Sequence, residues 1–275
     1  MISLQQIGVG IGLAGLVSAF ARRLGALNRS GSIAAFLLGT IVFGLGGLPW
    51  SIVLLGFFVS SSGLSRLFKK QKISLNEKFS KTSRRDATQV VANGGVAGVF
   101  VLLHLIFPDA VWTWLGFAGA LASANADTWA TELGVLSQKT PRNIVNGKFV
   151  PRGTSGGITL AGTLASLAGA GFIALLTALF LPAIFHNHPV SSTVLFLIIT
   201  FAGLAGSLVD SWLGATWQAI FFCPTCQAET ERFPLHSCGT PTSLLRGKLW
   251  LNNDWVNFLC TAAGAVFALF TAFLL

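Results

Sequence analysis

The sequence predicts an all-α polytopic membrane protein of about eight transmembrane helices, two of them carrying a pseudo-repeated Asp-(Ser/Thr)-Trp motif. Three observations predict it. First, 53% of the 275 residues are apolar and only 10% are charged, where a soluble domain carries roughly 25%. Second, several apolar runs reach the length of about 20 residues needed to cross a bilayer core about 30 Å thick. Third, every Lys and Arg falls in alternate connections between those runs, the asymmetry that membrane insertion imposes. A net charge of +9 would suggest nucleic acid in a soluble protein. Here the charges sort by membrane side, and no nucleic-acid partner is expected.

The apolar runs place spans at 4–21, 32–48, 50–66, 87–107, 110–136, 158–181, 191–222 and 251–275. The first is not a signal peptide, because no positive charge precedes it and Arg22 and Arg23 follow it. The fifth and seventh are longer than a bilayer requires, so they tilt or project. Arg22, Arg23 and Arg29 lie between spans one and two, and a run from Arg66 to Arg85 between three and four. Lys139 to Arg152 lie between five and six, and Arg232, Arg246 and Lys248 between seven and eight. The positive-inside rule makes that side cytoplasmic and puts both termini outside. The whole chain, 1–275, reads as a single transmembrane domain in contact with membrane lipids, with a cytoplasmic Cys/His loop at 223–250 between spans seven and eight. Of the opposite loops, the one holding His186 and His188 reads as a solvated connection.

A set of carboxylates shares one depth. Asp86, Asp127, Glu132, Asp210 and Asp254 all map to the cytoplasmic ends of their spans. Ionisable groups at membrane depth are expensive and mark function. On span five, Ala120, Ser123, Asp127 and Thr131 fall on one helical face; on span seven, Gly203, Ser207, Asp210 and Gly214 do the same. Each Asp thus lies on a small-residue stripe where a neighbouring helix comes close. Asp86, Gln89 and Asn93 form a similar stripe on span four, and Asn253 and Asn257 share a face on span eight beside Asp254. Oxygen-only ligands suit Mg²⁺. Asp86 and Asp254 open helices, where capping and the helix dipole favour an acid without any ligand. Asp127 and Asp210 lie toward the carboxyl ends of theirs, where the dipole disfavours an anion and an added cation is the simpler account. Trp129 and Trp212 read as interfacial anchors, and His104 as a packed or interfacial histidine.

Gly153, Thr154, Ser155, Gly156 and Gly157, preceded by Arg152, lead into span six. Glycines and hydroxyls at a helix amino terminus make an anion site, although the pattern is not a P-loop, which needs Lys after its second Gly. Arg84 and Arg85, beside Asp86 at the membrane, are the better phosphate ligands of their basic loop. Cys223 and Cys226, spaced Cys-x₂-Cys, with His236 and Cys238 further on, fit a structural Cys₃His zinc site that pins the loop.

Several of these residues carry a resemblance. Asn125-Ala126-Asp127-Thr128-Trp129-Ala130-Thr131-Glu132-Leu133-Gly134 resembles the signature of the phytyl-phosphate kinase family of plastids and cyanobacteria, with its bacterial, archaeal and animal multispan homologues. Arg85-Asp86 with Gln89-Val90 and Ala92 to Gly95, Gly153 to Gly157, Gly206 with Asp210 and Gly214, and Asn253-Asp254 with Val256-Asn257 agree as well. The likeness covers nearly the whole chain; Ser155 stands where many relatives have Asn.

The resemblance implies a CTP-dependent kinase that converts an isoprenoid monophosphate to its diphosphate. In that reading Asp127 and Asp210, with Asp86 or Asp254, are catalytic. Asp127, Asp210 and Glu132 hold Mg²⁺ on the nucleotide. Arg84, Arg85, Gln89, Asn93, Asn125, Glu132, Arg152, Gly153 to Gly157, Ser207, Asn253 and Asn257 meet nucleotide and lipid phosphate. The alternatives are a CTP-dependent cytidylyltransferase, a transporter using the acids as an ion path, and a non-catalytic lipid-binding protein. Acids gathered at one membrane face, with none running through the core, argue against the transporter.

Overall fold

The computed structural model describes residues 3–68, 84–184 and 191–274. Lys69, Lys70, Lys72, Lys78 and Lys81, and His186 and His188, lie outside the described residues. Eight helices follow in order: α1 Leu4–Arg23, α2 Arg29–Gly39, α3 Leu48–Leu67, α4 Ala87–Ile106, α5 Val111–Gly134, α6 Leu160–Ile184, α7 Ser192–Thr216 and α8 Asn253–Phe273. Among the described residues, seven spans are long and apolar enough to cross a membrane, the second of them formed by α2 together with a π-helical continuation, Thr40–Gly46. The wider π turn brings a glycine-rich backbone against α1, where a Cβ on Gly10 would strike Gly44. Gln6 Nε2 donates to the Gly44 carbonyl at 3.1 Å.

The eighth helix, α5, is the hub. It packs against α3, α4, α6, α7 and α8, and every residue from Thr113 to Ala126 is buried. Rich in Ala and Gly, it is not among those seven spans, and its neighbours are helices. The stripe on α7 meets its neighbours closely, since a Cβ on Gly203 would collide with Ala122 of α5 and Ala170 of α6; outside the expected stripes, a Cβ on Gly206 of α7 or Gly264 of α8 would collide with the Ser123 side chain of α5. Van der Waals packing of this kind holds helices together where lipid competes equally for apolar surface. At the far end of α5, Trp50, Trp114 and Phe117 form an aromatic cluster with centroids 4.7–5.5 Å apart. His104 joins it by packing on Trp50 and pairing with Thr113 Oγ1 at 3.2 Å.

Span seven is shorter than 191–222. The amides of Trp217 and Gln218 both fold back onto the Leu213 carbonyl, so α7 stops at Thr216 and the chain enters a sheet. Strands β3 Ile220–Cys223, β4 Ala228–Thr230 and β5 Ser243–Arg246 pair antiparallel in the order β4-β3-β5. A two-residue pairing of β1 Arg142–Asn143 with β2 Gly157–Ile158 closes the α5–α6 connection. All five strands lie at the end of the bundle that carries the cationic connections.

Candidate functional site: a charged cavity at one end of the bundle

A cavity of about 890 Å³ opens among the carboxyl ends of α3, α5 and α7, the amino ends of α4, α6 and α8, and the sheet. Asp127 and Asp210 both line it, as do Arg84, Arg85, Gln89, Asn93, Glu132, Arg152, Gly153 to Gly157, Ser207, Asn253 and Asn257. The chain separates these residues by as much as 173 positions, and helix packing brings them to one chamber.

The two aspartates come from neighbouring helices, near enough for their charges to interact. Asp210 Oδ2 is buried without a hydrogen-bond partner among the described residues. A buried carboxylate oxygen of that kind calls for a cation or donor, so the pair fits a divalent ion better than a structural role. No third acidic side chain joins them in a tight cluster among the described residues. That suits Mg²⁺, which takes one or two carboxylates and completes its shell with phosphate and water.

Glu132, expected as a metal ligand, lines the same cavity but does not form a tight cluster with the two aspartates. Its Oε1 accepts from Ser65 Oγ at 2.7 Å, and its charge acts on Arg85. Burial pushes the Arg85 guanidinium down to about 10, with Glu132 pulling it back up, so it stays cationic at neutral pH. Its Nη2 donates to Ser61 Oγ at 3.0 Å, and it lies over Phe57 and Phe58. Its backbone is fixed from both sides, donating to Ala26 and accepting from Asn28.

Asp86, Asp254 and Asn125 do not line the cavity. Asp86 closes a capping box at the start of α4, accepting from the Gln89 amide at 3.0 Å while its own amide meets Gln89 Oε1. Asp254 lies in the first turn of α8, capped by Asn252. Thr88 Oγ1 is within hydrogen-bond distance of both carboxylates, 2.9 Å from Asp86 and 2.8 Å from Asp254, and so ties α4 to α8. Asn125 is fully buried: it accepts from Ser60 and donates to the Gly169 carbonyl at 2.8 Å, joining α3, α5 and α6. Its amide is engaged in packing, two residues before Asp127 and on a different face of α5.

The 153–157 turn is seated on the carboxyl end of α7. Gly156 has φ +84°, and a Cβ there would collide with Ala215, so both the backbone twist and the close approach require glycine. Arg246 Nη1 donates to the carbonyls of Gly214 at 2.9 Å and Ala215 at 3.2 Å, and Nη2 reaches the Ser155 carbonyl. One guanidinium thereby caps α7 and fastens the turn to it.

Glu231 and Arg232, which the sequence pattern did not single out, also line the cavity. Glu231 accepts from Ser155 Oγ at 3.1 Å and from Gln218 Nε2 at 2.9 Å. Only the fold of the sheet takes them from a polar loop to the chamber. The four residues Cys223, Cys226, His236 and Cys238 come together as expected, with ligand atoms all within 4.8 Å of one another.

The family profile described as "Integral membrane protein DUF92" matches residues 12–265. The chain is 34% identical over 249 residues to Protein PGR of Arabidopsis thaliana, covering 85% of this chain and 84% of that protein. It is 32% identical over 192 residues to an uncharacterised membrane protein of Methanocaldococcus jannaschii, covering 70% and 75%. It is 28% identical over 247 residues to Protein VTE6, chloroplastic, of Arabidopsis thaliana, covering 88% of this chain and 64% of that one. No solved structure matches. The profile runs through every motif that carried the resemblance, from Arg85 to Asn257, and the chain therefore belongs to the DUF92 family of integral membrane proteins.

Proposed function

We propose that the protein is a membrane-embedded kinase that transfers the γ-phosphoryl group of CTP to an isoprenoid monophosphate. The observation that carries this reading is the meeting of Asp127 and Asp210, from two helices, with Arg84, Arg85, Arg152 and the 153–157 turn around one cavity. Such a chamber offers anionic groups for a cation and cationic groups for phosphates within one enclosure, which is what phosphoryl transfer requires.

An oxygen of the lipid monophosphate bonds to the γ-phosphorus as the bond from that phosphorus to the β–γ bridging oxygen breaks, leaving CDP. The attacking phosphate is already an anion, so no strong general base is needed. Asp127 and Asp210 would hold Mg²⁺, which when bound neutralises charge on the polyphosphate. The guanidinium groups of Arg84, Arg85 and Arg152 take phosphate charge, and the glycine turn offers backbone N–H groups. Catalysis is then mainly positioning and charge stabilisation.

A second, apolar cavity supports a lipid substrate. It lies among α1, α2, α3 and α4, holds about 60 Å³, and is lined by residues such as Ala14, Leu38, Phe43 and Leu54 together with Arg85, Gln89 and Asn93. Those three side chains also face the charged cavity. A lipid whose headgroup met Arg85 would lay the first part of its tail in the apolar space. The cationic connections support a chamber that faces the cytoplasm, where nucleotide is present, with both termini outside.

The test is purified protein in lipid nanodiscs with a panel of isoprenyl monophosphates, with and without Mg²⁺, and CTP labelled at the α or the γ phosphorus. Mg²⁺-dependent movement of the γ label to lipid is the expected result. Movement of the α label would assign a cytidylyltransferase, and movement of neither would end the enzymatic reading.

A further inference from the structure

The sheet that supplies Glu231 and Arg232 has almost no core of its own. Strands β3, β4 and β5 hold only eleven residues, and most of β5 is exposed. Pieces this small rarely hold a shape without a disulfide or a metal. The cysteines are free thiols. Cys223 ends β3, Cys226 lies in the turn to β4, and His236 and Cys238 lie in a second turn closed by the Leu235–Pro241 bridge. Two turns thus face each other, each offering two ligands.

The spacing is that of a tetrahedral ion. With Zn–S about 2.3 Å and Zn–N about 2.0–2.1 Å, a tetrahedron separates two sulfurs by about 3.8 Å and a sulfur from a nitrogen by about 3.6 Å. Cys223 Sγ and Cys238 Sγ are 3.6 Å apart, and His236 Nδ1 is 3.3 Å from Cys238 Sγ. Three sulfurs and an imidazole select zinc over the hard, oxygen-seeking magnesium. Cys223 and His236 are buried, while Cys226 and Cys238 are exposed and give the ion a way in.

None of the four ligands lines the charged cavity, but Gln218, Glu231 and Arg232, which flank the strands they fasten, do. Residues just after β4 bring Glu231 to Ser155 and Gln218, and β5 brings Arg246 to the end of α7 and the Ser155 carbonyl. We propose that Cys223, Cys226, His236 and Cys238 bind one Zn²⁺, and that this ion positions the cavity wall formed by Glu231, Arg232 and the 153–157 turn, the last through Arg246. On binding, the three thiols release their protons to solvent, and the ion with three thiolates and a neutral imidazole carries a net charge of −1. These are positioning residues, and the site stands whatever reaction the cavity performs.

The test is metal analysis of the full-length protein purified without added zinc, followed by exchange with cobalt(II). About one zinc per chain and the visible spectrum of a tetrahedral cobalt–thiolate centre are expected. Cys226→Ser and Cys238→Ser should lower zinc to background while the protein remains monodisperse, and His236→Cys should keep the ion in a four-thiolate site. Background zinc in the unaltered protein, or a Cys223–Cys238 disulfide by mass spectrometry, would overturn the site. Hydrogen exchange after chelation reads the positioning separately. Faster exchange at 153–157 and 228–246 with α5 unchanged is expected; metal loss with no change at 153–157 would overturn that half of the proposal.

Discussion

Helices α5 and α7 carry the same three-residue pattern, Asp127-Thr128-Trp129 and Asp210-Ser211-Trp212, and the fold treats the two copies differently. Both aspartates face the charged cavity. The tryptophans part company. Trp129 turns inward, stacked on Phe172 with centroids 5.9 Å apart and lying against Gly169 of α6. Trp212 is 42% exposed and touches Trp217 edge to face, the position of an interfacial anchor. The difference follows from where the helices stand: α5 is surrounded, α7 has an outer side. Within one motif, then, the acid follows the site and the aromatic follows the neighbourhood.

The largest effect expected from this comparison is on activity. Asp127→Asn and Asp210→Asn should each reduce phosphoryl transfer by at least about 10²–10³-fold with an unchanged elution profile and helical content. Retained activity in either would break the symmetry of the acids. The tryptophans should split in stability: Trp129→Ala should cost about 1.5–3 kcal/mol through the loss of a half-buried side chain packed on Phe172, and Trp212→Ala under about 1 kcal/mol. Unfolding in mixed micelles measures both, and equal losses would contradict the inward and outward placement. The close approach around Ser123 gives a smaller test. Gly264→Ala should destabilise by about 1–3 kcal/mol through overpacking, whereas a Cβ on Gly12 or Gly63 meets nothing within 4 Å, so alanine there should be neutral or stabilising. The smallest effect separates Asp86 from the site acids. Asp86→Ala should cost about 1 kcal/mol as a lost cap, and Asp86→Asn little, since Asn caps as well. Asp86→Asn should also keep transfer activity, and a loss as deep as that of Asp127→Asn would return Asp86 to the chemistry.

The placement of the acids shows what could be read in advance. Helical spacing put Asp127 and Asp210 on small-residue faces at one depth, and the packed helices keep them there. The same depth argument drew in Asp86 and Asp254, yet a shared level does not fix direction, and Thr88 holds both at the α4–α8 junction instead. Asn125 sat in a strong motif, but its amide satisfies the Gly169 carbonyl in a fully buried position. Glu231 and Arg232 gave no signal, because they lie in an irregular stretch just after β4 that has no periodicity to show which way a side chain faces.

Apolar runs and cationic connections alone determined the number of spans and the end of the bundle that carries the site, because bilayer thickness and charge placement act on the chain one segment at a time. Tertiary structure alone decided that α5 is the hub, that Trp129 and Trp212 face opposite environments, and that residues flanking a small sheet line one wall of the cavity. Those outcomes depend on which surfaces meet, and contacts between residues more than a hundred positions apart are set by packing that no local pattern encodes.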